Sequence, residues 1–109
     1  MCNILAIDHL IFDNSTWTFQ LHDTSCQLSN GAFSSEAFQH FIYSKNNDME
    51  NPYILFGTGV IKEDVNQDLS HDHYCILLKQ VDNKKQAFLV HTDDFKMEFM
   101  PHPITFTLC

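Results

Sequence analysis

"HYCILLKQVDNKKQAFLVHT", residues 73 to 92, decides how the rest of the chain must be arranged. Two apolar runs, 75–78 and 87–90, stand on either side of the polar "DNKK" at 82–85, the pattern of a β-hairpin. Each run is apolar at consecutive positions near its middle. Side chains alternate across a strand, so both faces of this hairpin need cover, and the pair belongs inside a sheet rather than at its edge. If Val81 pairs with Gln86, His73 lies opposite Asp94, Cys75 opposite Thr92 and Ile76 opposite His91.

Other strands follow on either side. "NILAI" at 3–7 is a short apolar run, and "LIFDNSTWTFQL" at 10–21 reads as two strands around a turn at 13–15. Within it Trp17, Phe19 and Leu21 point one way and Thr16, Thr18 and Gln20 the other, which is a half-buried strand. "YILFGTGV" at 53–60 is a buried strand, and "KMEF" at 96–99 and "ITFTL" at 104–108, on either side of Pro101 and Pro103, supply one or two more. "SNG" at 29–31 reads as a turn.

One segment has helical spacing. In "SSEAFQHFIYSK", 34–45, Ser34 is an N-cap, Glu36 complements the dipole in the first turn, and Ala37, Phe38, Phe41 and Ile42 share a face. "KEDVNQDLSHD" at 62–72 reads as a short acidic helix or a loop, with Ile61, Val65 and Leu69 spaced by four. The expected fold is therefore α+β: a mainly antiparallel sheet of about five to six strands with one or two helices packed on one face. A chain of 109 residues forms a single domain, 1–109, and ten phenylalanines predict an aromatic core.

Charge limits the partners. Fourteen Asp and Glu oppose six Lys and no Arg, for a net charge of -8 with neutral histidines. Nucleic-acid binding rests on Lys and Arg contacts to phosphate, and anionic membrane surfaces attract the same residues, so neither partner is expected. A basic protein partner is favoured by the same field. No apolar run approaches the roughly 20 residues of a membrane span. "MCNILAIDHLIF" carries no basic stretch, and Asp8 and His9 interrupt its apolar run, unlike a secretory signal. The four cysteines form no CxxC pair, and the expected compartment is the cytoplasm, with thiols reduced.

Three functional patterns follow. In "SHDHYC", 70–75, His71 and His73 share a strand face, and the hairpin register above adds Asp94; such a His-His-carboxylate set suits zinc or iron. The positions after His73, "YCILLKQ", add no further carboxylate, and no Glu-x-x-His motif supports the set. Cys75 with His73 has the elements of a nucleophile and base but no third orienting group, and "GTG" at 57–59 lacks the third glycine or lysine of a phosphate loop. The sequence thus favours a non-enzymatic binding protein without a cofactor.

The favoured reading is an inhibitor of the immunity-protein or antitoxin type, which neutralises a basic, nucleic-acid-acting toxin or enzyme by charge complementarity. Its contacts are expected from Glu63, Asp64, Asp68 and Asp72, with Asp93 and Asp94 brought close by the hairpin. The alternatives are a small metal protein using His71, His73 and Asp94, and a homodimeric module joined through the second apolar face of the hairpin.

Overall fold

The computed structural model describes residues 4–33, 41–44, 52–61, 73–98 and 104–108. They form nine strands: β1 (Leu5–Asp13), β2 (Thr16–Leu21), β3 (Thr24–Phe33), β4 (Phe41–Ser44), β5 (Tyr53–Ile61), β6 (His73–Val81), β7 (Lys84–His91), β8 (Phe95–Glu98) and β9 (Thr105–Leu108). Their order is β3-β2-β1-β7-β6-β5-β4-β9-β8, and β3 also pairs with β5. That extra pairing joins β1, β2, β3, β5, β6 and β7 into a closed antiparallel ring, a six-stranded barrel. Closure removes the open edges of the hairpins.

Trp17 shows how so small a ring is filled. The alternation in "TWTFQL" sends Trp17 and Phe19 inward, where they meet Ile7, Leu28, Ile76, Ala87 and Leu89. The indole lies between Phe12, with centroids 4.6 Å apart, and Phe56, at 5.4 Å. Its Nε1 donates a 3.2 Å hydrogen bond to the Thr58 carbonyl across the barrel, so the polar end of the ring is satisfied where it is buried. Burying about 200 Å2 of aromatic surface at roughly 25 cal/mol per Å2 contributes on the order of 5 kcal/mol.

The space for that ring is made by glycines. A Cβ on Gly57 would stand 2.5 Å from Trp17 Cζ2, one on Gly31 would stand 2.6 Å from Trp17 Cδ1, and one on Gly59 would stand 2.8 Å from Leu28 Cβ. Gly57 and Gly59 are two apart on β5 and so face the same interior. The "GTG" that resembles part of a phosphate loop is thus a packing feature.

Irregularities bend the strands around this core. Phe56 is the extra residue of a bulge where Leu55 opposes Leu77 and Gly57 opposes Ile76. On β1 the register shifts between Asp8 and Ile11, with His9 at φ 56°, and on β3 between Ser29 and Ala32, with Asn30 at φ 53°. The expected turn at 29–31 is therefore a bulge inside β3. Asn30 tolerates the left-handed backbone, and the Gly31 N–H donates to the Ser15 carbonyl at 2.8 Å.

The hairpin β6–β7 lies inside the sheet, as its two apolar faces require. Ile76, Leu78, Ala87 and Leu89 face the barrel interior, while Leu77, Phe88 and Val90 face a second cluster with Ile42, Tyr53, Ile104 and Phe106. This second layer is built by β4, β9 and β8, with β4 and β9 parallel. β5 serves both assemblies, since its first residues pair with β4 and its last with β3.

Three further expectations are corrected. The architecture is all-β, and no α-helix occurs among the described residues. Phe41–Ser44, the end of the expected helix, is β4, with Ile42 and Ser44 buried two positions apart in strand period; 34–40 and 45 lie outside the described residues. A short apolar run does not discriminate helix from strand by periodicity, and here the β5 edge and β9 supply the hydrogen bonds. The hairpin register is also different: Val81 pairs with Lys84, Cys75 with Val90 and Tyr74 with His91. Asp82 and Asn83 both take positive φ, 48° and 66°, forming a two-residue turn of the I′ kind instead of a four-residue loop. Asn14 and Ser15, at 50° and 57°, do the same between β1 and β2.

Two measurements check this packing. Gly57→Ala is expected to cost about 1–3 kcal/mol in urea unfolding. In a Trp17→Phe background that cost should shrink, leaving the contribution of the Ala32 carbonyl 3.0 Å from the new Cβ. Additive costs would mean that the indole does not impose the glycine. In the turn, Asn83→Ala should cost about 1 kcal/mol and Asn83→Gly nothing, since only the former strains a left-handed residue.

Candidate functional site at one end of the barrel

Strand direction sorts the connections between two ends. β1, β3 and β6 run one way and β2, β5 and β7 the other. The β2–β3 turn, the ends of β5 and β7 and the start of β6 therefore share one end, while the β1–β2 and β6–β7 turns share the opposite end.

At the first end, β7 leaves the sheet through a single 3-10 turn, Thr92–Asp94. The turn is held from three directions. The Asp93 N–H donates to His91 Nδ1 at 3.1 Å, the Phe95 N–H donates to the Thr92 carbonyl, and Thr92 Oγ1 donates to the His73 carbonyl at 3.1 Å. The His91 ring also stands edge-on to Tyr74, with centroids 5.0 Å apart. Through these bonds the Asp93 carboxylate is directed outward, 86% exposed, and Asp94 is half-buried beside it.

The bond from Thr92 to His73 has a consequence for charge. His73 pairs with Val60, so the point where Ile61 gives way to residues 62–72, the point where those residues return at His73, and the Asp93–Asp94 turn are all at one end. Glu63, Asp64, Asp68 and Asp72 belong to that connection and, like His71, lie outside the described residues. Asp23, in the tight turn between β2 and β3, is exposed at the same end. No motif singles out Asp23; the strict alternation of hairpin turns between barrel ends identifies it. The opposite end carries Lys84 and Lys85 with Asp13 and Asp82, and nearby Lys79 Nζ sits 4.9 Å over the Tyr53 ring.

The metal constellation loses the register that suggested it. His73 is exposed at the start of β6, and Asp94 is displaced from the β7 ladder into the 3-10 turn, with Thr92 bonded to His73 in its place. Among the described residues no group of three or more His, Cys, Asp or Glu could hold a metal ion. His91 is on the interior side with Tyr74, away from His73, and is engaged by Asp93.

Cys75 is buried between Thr58 and Val90, and burial pushes its thiol from the ordinary 9.0 up to about 11. It remains protonated at neutral pH, whereas a nucleophile needs the thiolate. Because the folded state holds this proton more tightly, the associated stability is complete below pH 9 and is lost as pH rises through 11. At ~1.4 kcal/mol per pKa unit the loss is about 2–3 kcal/mol. Urea titrations from pH 8 to 11 should show this decline, and Cys75→Val should lack that part of it. An identical slope in the variant would show that the thiol is not desolvated.

No protein-family model matches this chain, and neither a curated protein nor a solved structure matches it, so its function has to be argued from the geometry and charge of the barrel end.

Proposed function

We propose that this chain is an acidic binding protein, an inhibitor of the immunity-protein or antitoxin type, that caps the basic cleft of a nucleic-acid-acting toxin or enzyme. The observation that supports it most is the bond from Thr92 to the His73 carbonyl, which ties the turn bearing the exposed Asp93 and half-buried Asp94 to the point where the acidic 62–72 connection returns. A protein that acts on nucleic acid must carry a positive surface to hold phosphates. An acidic surface of -8 net charge steers toward such a cleft at long range, and paired charges fix the register on contact.

In this reading Glu63, Asp64, Asp68, Asp72, Asp93 and Asp94 are the contacts, with Asp23 added by its place at the same end. The Asp93–Asp94 turn is fixed by the bonds from the Asp93 N–H to His91 and from Thr92 to His73, which lowers the ordering cost of association there. The compartment in this reading is the cytoplasm, in keeping with Cys26 and Cys75, which are free thiols. No helix among the described residues is long and apolar enough to cross a membrane. Leu77 and Val90, on the second hairpin face, are covered by this chain's own residues, which supports the heteromeric reading over a homodimer through that face.

The test is native mass spectrometry of the protein purified from its host without chelator, followed by association kinetics with the polypeptide recovered. A basic polypeptide should accompany the chain. Its association rate should fall steeply with salt and about tenfold when Asp64 and Asp68 are both changed to Lys, with a similar fall for Asp93→Lys with Asp94→Lys. For Asp93→Lys alone, at a position 86% exposed, unfolding free energy should stay within about 0.5 kcal/mol. Association indifferent to both charge reversals would overturn the reading, and so would recovery of the chain with a metal ion in place of a protein.

A further inference from the structure

We draw no further inference here: the strongest candidate, a shallow depression at the β3–β5 seam lined by Ser25, Cys26, Gln27 and Ile61, carries nothing because no structural feature among the described residues shows what covers it.

Discussion

The contact between the Trp17 indole and the faces of Gly57 and Gly31 is the constraint on which the rest of the structure depends. A six-stranded ring encloses little room, and the largest side chain in the chain is placed inside it. That is possible only where opposing strands have no Cβ, so a glycine on β3 and another on β5 must both face the ring. Once they do, the same indole bonds the Thr58 carbonyl and rests between Phe12 and Phe56, so β1, β2, β3 and β5 are linked through one residue. The bulges at Phe56 and at Asn30 lie beside those glycines and bend the strands where the ring must turn.

A closed barrel would leave the outer face of β6 and β7 in water, but their sequence is apolar there as well. The chain resolves this by returning over itself. β4 takes the part of the β5 edge that β3 leaves, β9 adds to β4 in parallel, and β8 closes the layer. Phe106 and Tyr53 stand edge to face at 5.3 Å in the cluster so formed. The barrel and this flanking layer therefore share β5, β6 and β7 as a common wall, and neither cluster is complete without it.

The acidic end inherits its shape from that wall. Position at the end of β7 leaves the chain to turn within three residues before β8 begins, and the 3-10 turn does so with the hydroxyl of Thr92 fastened to the start of β6. Two aspartates in succession are tolerated because one points to solvent and its backbone N–H is bonded to His91. At the other end Lys84 and Lys85 stand beside Asp13 and Asp82.

Much was legible along the chain, because alternation and turn chemistry are local properties. The "TWTFQL" strand, the buried "YILFGTGV" strand, the central hairpin and the terminal strands near "KMEF" and "ITFTL" follow from which residues are apolar and where Gly, Asn, Asp and Pro stand. Net charge, the absence of Arg and the acidic content of 62–72 are also complete in the sequence. The rest depended on partners distant in the chain. "FIYS" has no local feature that separates helix from strand, and the edge of β5 decided it. "SNG" reads as a turn until a ring has to close on Trp17, when Asn30 and Gly31 become a bulge. A two-residue turn in place of a four-residue one moved the hairpin register by two, which preserved every face while removing Asp94 from the ladder opposite His73. Composition and period thus determined which residues are buried and what charge the surface carries, since both are sums over the chain. Closure, register and the placing of Asp23 at the same end as Asp93 and Asp94 were decided only by tertiary structure, because each depends on pairings between strands that local sequence does not encode.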